Sequence, residues 1–329
     1  VALTKIIGYT FFMTKVPVII DCDPGTDDAL MLLTAFACKK IKVLAVTTVC
    51  GNQGVEKTSL NARKILSFIG QDKIPVAAGA VKPLLREPRN ATAFHGASGL
   101  GGVILPDPTF ELENCNAVEL IHKILKSHNQ VTLVCTGPLT NIALLFTAHP
   151  EVKQNIEKII LMGGGIDHGN CSATAEFNMI ADPEAAELVF NSGVPIVMCG
   201  LDITEKVLIT KEHIKEFAAI PGKIAAFAVD ILNFLDGIHT KMGHKGIPMH
   251  DPTTIGYLAH PELYKTVPME VHVETQGKFT TGMTVVDKRG EFPPPKDSIE
   301  DKIKTLVCTE INSQKFLKFM KDCIASYEA

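Results

Sequence analysis

The sequence has no long apolar run, no paired cysteines and no concentration of basic charge, and each absence removes a class of protein. No stretch approaches the roughly 18 consecutive apolar residues that argue for a membrane-spanning helix. Nine cysteines (Cys22, Cys38, Cys50, Cys115, Cys135, Cys171, Cys199, Cys308 and Cys323) include no Cys-x-x-Cys pair. Several of them end apolar runs, so they read as reduced, buried thiols rather than a disulfide framework or a zinc site. A reducing compartment, the cytoplasm, is the expected location. The formal net charge is -4, and short runs such as Lys39-Lys40 read as solvated surface, because a chain that tracks phosphates gathers several Lys and Arg on one face. Neither nucleic acid nor a membrane is expected as a partner.

What remains is ordinary for a soluble enzyme: 329 residues, 46% hydrophobic and 21% charged, enough to bury a large core. Residues 1–15 read as an N-terminal extension, because the apolar patch before Met13 lacks a basic leader and a small-residue cleavage site. Residues 16–329 read as one domain, with no linker, internal repeat or low-complexity segment to divide them.

Five short runs are apolar on both alternating faces: Val16 to Ile20, Val43 to Val46, Val131 to Cys135, Ile159 to Met162 and Val194 to Cys199. Strands of that kind belong inside a parallel sheet covered on both sides. Helical stripes lie between them, such as Ala62, Ile65, Leu66 and Ile69, or Val118, Ile121 and Leu125. The repeated βαβ alternation predicts an α/β fold, doubly wound, with a mostly parallel open sheet flanked by helices and a Rossmann-like core. Later, Ile224, Phe227, Ala228, Ile231 and Leu235 mark a long amphipathic helix after Pro221-Gly222, and Pro268 to Glu274 with Phe279 to Val286 suggest a hairpin or edge pair. Arg289 to Asp297 reads as an extended loop, and 315–326 as a closing helix.

Open α/β sheets bind ligands beyond the carboxyl ends of their strands, which directs attention to Asp21 and Asp23, Asn52, Thr136 to Asn141, Gly163 to Gly165, and Asp202. The first of these places stands out. Asp21-Cys22-Asp23-Pro24-Gly25-Thr26-Asp27-Asp28 holds four carboxylates in eight residues, after a buried strand and before an apolar helix. First-turn aspartates and an early proline account for one or two acids. Four like charges crowded there repel one another and need a counter-charge, and a hard divalent cation with oxygen ligands, calcium or magnesium, supplies it.

Two other chemistries start from similar segments. Haloacid-dehalogenase-type phosphatases also place Asp-x-Asp after a strand, but with Thr or Val two positions after the second Asp, whereas Thr26 here is three positions after Asp23. No later Gly-Asp pair completes their magnesium site either. The triple glycine Gly163-Gly164-Gly165 is followed by no Gly-Lys-Ser/Thr, so it reads as tight backbone packing rather than a phosphate loop.

With the aspartate segment come Val49-Cys50-Gly51-Asn52-Gln53, Phe94-His95-Gly96, Gly137-Pro138-Leu139-Thr140-Asn141, Leu161-Met162-Gly163-Gly164-Gly165, Ala175-Glu176-Phe177-Asn178 and His250-Asp251-Pro252. Together, and in this order, they resemble the inosine-uridine preferring nucleoside hydrolase family over about residues 16 to 290. The resemblance implies hydrolysis of the N-glycosidic bond of ribonucleosides to free nucleobase and ribose. It further implies Ca2+ held by Asp23, Asp28 and Asp251 with the Thr140 carbonyl, Asp23 as the base that takes a proton from water, and Asn52 orienting that water. Asp27 and Asn178 would hold the ribose 2′ and 3′ hydroxyls, Asn170 and Glu176 the 5′ side, with Phe177 beside them and Met162 under the sugar. His250 would be the general acid for the leaving base, and His95 would reach the base or close over the site.

Purine-specific members stack the base on tryptophan, and this sequence has none, which with His250 implies the nonspecific or pyrimidine-preferring branches. Tyrosines common in those branches before the His-Asp pair are missing from Phe234 to Met242, where His239 would take over part of their role. A homodimer or homotetramer and a part in nucleobase salvage are implied as well. The alternative is a ribonucleoside binder that keeps the cation and has lost turnover, although every acid and base position is filled.

Overall fold

The computed structural model describes residues 15–288 and 304–328. Most of the extension and the Arg289 to Asp297 segment lie outside the described residues. In chain order the strands are β1 (Val16–Cys22), β2 (Ile41–Thr48), β3 (Val76–Ala78), β4 (Val131–Cys135), β5 (Ile156–Met162), β6 (Ile196–Cys199), β7 (Leu208–Ile209), β8 (Ile247–Pro248), β9 (Tyr264–Met269), β10 (Val271–Val273), β11 (Thr284–Val286) and β12 (Thr305–Ile311). Eight of them form one sheet in the order β3-β2-β1-β4-β5-β6-β12-β9, parallel except for the antiparallel β9.

Alternation drives this architecture. Val18, Ile20 and Cys22 point into one apolar core and Ile19 into the other, and β4 divides in the same way between Val134 and the pair Leu133 and Cys135. Both faces are therefore buried by helices, as continuous apolar runs require. The long helix spans Lys223–Lys241 and the closing helix Ser313–Ala325, while β10 and β11 make the expected antiparallel pair.

Pro268 and Met269, read from the sequence as the start of that pair, instead end β9 at the sheet edge. There a residue without an N–H costs no ladder bond. Its partner β12 has no counterpart in the sequence reading. Its one consecutive apolar run is Leu306-Val307-Cys308, too short to stand out. The triple glycine supports close packing: a Cβ on Gly164, whose φ is +75°, would stand 2.7 Å from Thr284 Cγ2.

The order β3-β2-β1-β4-β5-β6 reverses direction between β1 and β4, and the chain leaves these neighbouring strands toward opposite sides. A crevice opens at that point, beyond the carboxyl ends. Asp23 follows β1 and Thr136 follows β4, so both arrive at its floor.

Candidate functional site

A cavity of about 430 Å3 occupies the crevice. Asp27, Asn52, His95, Met162, Asn170, Glu176, Phe177, Asn178, His239, His250 and Asp251 all line it, while Asp23 and Asp28 are wholly buried at its floor. The acids come from three places in the chain. Asp23 lies in the β1 turn, Asp27 and Asp28 in the first turn of the helix Thr26–Ala37, and Asp251 just before the helix Pro252–Ala259. Ligand oxygens of Asp27, Asp28 and Asp251 all fall within 4.8 Å of one another.

Neutral donors hold this floor in place. The Asn52 backbone N–H donates to Asp23 Oδ2 at 2.7 Å, and its side-chain Nδ2 donates to Asp28 Oδ2 at 3.1 Å. Thr136 Oγ1 donates to Asp28 Oδ1 at 2.8 Å, and the Gly25 N–H to Asp28 Oδ2 at 2.9 Å. Asn52 thus ties two carboxylates together, a role that its expected contact with water does not include. Glycine is needed beside them: a Cβ on Gly51 would stand 2.0 Å from Asp23 Oδ2, and one on Gly137 would stand 2.9 Å from Asp23 Oδ1.

Burial, and then the neighbouring Asp28, pushes the Asp23 carboxyl well above the carboxylate range. Burial and Asp27 raise Asp28 to about 7, and burial with Asp27, Asp28 and Asp23 raises Asp251 strongly. Two oxygens, Asp23 Oδ1 and Asp27 Oδ1, are buried with no hydrogen-bond partner among the described residues. Crowded carboxylates, unpartnered oxygens and an all-oxygen donor set fit a hard divalent cation, so the acidic cluster is one that could bind a metal.

The fourth expected donor does not reach this place. Thr140 opens the helix Thr140–Ala148, does not line the cavity, and gives its hydroxyl to Asp182 Oδ2 at 2.6 Å. A carbonyl in the first turn is committed to its own helix ladder. Thr136, the first residue past β4, lines the cavity instead, and its carbonyl accepts from Asn178 Nδ2 at 2.9 Å. Both threonines belong to the 136–141 stretch that follows β4, and only the strand end separates them.

Around the middle of the cavity, Asn178 also donates to the Met162 carbonyl at 3.2 Å, so its donors are engaged and its amide oxygen is left to accept. Glu176 accepts from the Gly164 N–H at 3.0 Å, and burial raises its carboxyl to about 7. Asn170 Oδ1 accepts the Phe177 N–H at 3.0 Å.

Histidines crowd the far wall. His95 Nδ1 accepts from the Thr26 backbone N–H at 3.2 Å, so this nitrogen carries the lone pair and the proton sits on Nε2. Burial lowers its pKa in agreement. His250 Nδ1 is 2.9 Å from the hydroxyl of the buried Thr204, and burial lowers this imidazole too. His239 and His244 face each other Nδ1 to Nδ1 at 3.0 Å, and burial holds His239 at about 4. Thr204, His244 and Glu205 were missed from the sequence, because a single Thr, His or Glu in a helix end or loop carries no signal alone. Asp202, noted there, serves the scaffold by accepting the Ile166 N–H at 2.9 Å.

A cluster of buried acids opening into a cavity at the switch point of an open parallel sheet defines an α/β enzyme with a carboxylate site for a small polar ligand. Known proteins narrow this class. The inosine-uridine preferring nucleoside hydrolase model matches residues 18–318, and the chain belongs to that family, hydrolases of N-glycosyl bonds. It is 46% identical over 314 residues, 94% of this chain and 99% of the relative, to the pyrimidine-specific ribonucleoside hydrolase RihA of Photobacterium profundum. A RihA of Escherichia coli O157:H7 is 49% identical over 274 residues, 82% of this chain and 88% of the relative. Among solved structures, a purine-preferring ribonucleoside hydrolase from Gardnerella vaginalis superposes with a TM-score of 0.87 at 30% identity, covering 95% of this chain and all of that one (100%). The plant nucleoside hydrolase PpNRh1 gives 0.90 at 27% identity, covering 94% and 99%.

Proposed function

We propose that the protein hydrolyses ribonucleosides to ribose and free base, prefers pyrimidine nucleosides, and uses Ca2+. The observation that carries this is the convergence of Asp23, Asp27, Asp28 and Asp251 at the floor of one cavity large enough for a nucleoside. Asp23, Asp28, Asp251 and the Thr136 carbonyl would hold the ion. Bound there, Ca2+ offsets the carboxylate repulsion, offers coordination positions to sugar hydroxyls and makes adjacent water more acidic.

The chain's own groups supply the rest. Asp23 Oδ1, which has no partner among the described residues, accepts the proton of the attacking water. Asp27 Oδ1 and the Asn178 amide oxygen accept the 2′ and 3′ hydroxyls, while Asn170 and Glu176 take the 5′ side with Phe177 beside them. Positive charge develops on the sugar ring as the bond breaks, and the surplus of carboxylates stabilises it. Met162 forms the apolar support under the ribose. His250 donates from Nε2 to the departing base while Thr204 holds Nδ1, and His95 offers its Nε2–H to the same end of the cavity. His239, paired with His244, faces the base. Support for the pyrimidine preference comes from the RihA relatives and from the absence of any tryptophan to stack a purine.

A leaving-group comparison tests the acid. His250→Ala is expected to slow uridine hydrolysis by about 10^2–10^3-fold and to leave an activated aryl riboside nearly untouched. Thr204→Val should show the same split at about tenfold, with Thr204→Ser restoring the rate. Equal losses on both substrates would remove His250 from this role.

A further inference from the structure

Away from the cavity, His122 on the helix Ala117–Ser127 meets His149 and Glu151, which lie at the end of the helix Thr140–Ala148 and in the turn that follows. The helix Thr140–Ala148 starts at the catalytic end of the sheet and runs nine residues away from it, about 13 Å at 1.5 Å per residue. This cluster therefore sits at the opposite edge of the fold and has no part in the reaction proposed above.

One ring nitrogen from each histidine and one carboxylate oxygen of Glu151 fall within 4.8 Å of one another. His122 Nε2 is 3.3 Å from Glu151 Oε1 and His149 Nδ1 is 3.8 Å from the same oxygen. His122 Nε2 is shielded from solvent, yet no atom of the described residues meets it in hydrogen-bond geometry. Ligands at about 2.0–2.1 Å from a tetrahedral ion stand about 3.3–3.4 Å apart, so the shorter separation is that of two co-ligands and the longer one lies close to it. The rings stack face to face, 3.7 Å between centroids and 9° between planes, which sets both nitrogens beside one carboxylate. His149 is 31% exposed, and a rotation about its Cβ–Cγ bond would aim its lone pair at the same point as His122.

We propose that His122, His149 and Glu151 form a surface site for a divalent late transition-metal ion of the Zn2+ class. Two imidazoles and one carboxylate suit Zn2+ and its neighbours, whereas Ca2+ and Mg2+ select oxygen-only sets such as the acids of the cavity. Three protein ligands leave the fourth position to solvent or to an incoming donor.

Calorimetric titration of Zn2+ into the Ca2+-saturated protein tests this. The wild type is expected to take up one Zn2+ equivalent that His122→Ala weakens by at least about tenfold. Glu151→Gln, at a side chain 57% exposed, should weaken it similarly with an unchanged melting temperature and uridine turnover. Co2+ in place of Zn2+ should give the intense visible absorption of a low-coordinate site, lost in both variants. A Zn2+ isotherm that is the same in the wild type and both variants, or no uptake at all, overturns the proposal, and neither result bears on the hydrolase reading.

Discussion

Asp23→Ala is expected to abolish uridine hydrolysis, with kcat/KM falling by about 10^4-fold or more, while the protein stays folded. The size follows from the two tasks that meet in this side chain. It is the proposed proton acceptor, a role typically worth about 10^2–10^4-fold, and it belongs to the donor set proposed for the cation. The fold should tolerate the change because Asp23 adds no favourable charge partner to the metal-free chain. Its carboxyl is pushed upward by burial and by Asp28, so removing it relieves repulsion. Steady-state assay with uridine and a thermal melt in chelator check the two halves. Activity retained above a tenth of the wild type would show that another group accepts the proton.

Metal removal should produce the second large effect, and its size depends on pH. In the chelated protein Asp28 and Glu176 are held up to about 7, from ordinary values of 3.8 and 4.5, first by burial. Groups raised in this way bind protons in the folded chain that the unfolded chain has already released. Stability is therefore greatest at low pH within this window and is lost as pH rises from about 4 through about 7. A melting temperature lower by about 5 °C or more at pH 8 than at pH 5 is expected in EDTA. Excess Ca2+ should restore the pH 8 value, since a ligand at 100 times its Kd adds about 2.7 kcal/mol. A metal-free melting temperature that rises steadily from pH 5 to pH 8 would contradict the burial of these acids together.

Much of this was legible from the sequence because strong local signals coincided with global ones. Buried parallel strands are apolar on both faces, so β1, β4 and β5 announce themselves, and an aspartate run at the end of such a strand is hard to explain by capping alone. Less visible were elements whose identity depends on a distant partner. The strand β12 carries Thr309, Glu310 and other polar positions and is a strand because β6 and β9 flank it. Thr136 and Thr140 are equivalent as residues; which of them faces the acids depends on where β4 stops and the helix takes over the carbonyls. Thr204 became visible only when β6 and the segment before Asp251 were brought together in space.

The central claim is a cation gripped by acids that the chain brings from three separate regions, with the ribose resting on it. A crystal soaked with Ca2+ and a non-cleavable uridine analogue, read in an anomalous difference map, addresses that claim most directly. One peak is expected within about 2.3–2.6 Å of Asp23, Asp28 and Asp251 carboxylate oxygens and of the Thr136 carbonyl, with two sugar hydroxyls on the same ion. An analogue bound in the cavity with no peak between Asp28 and Asp251 would contradict it.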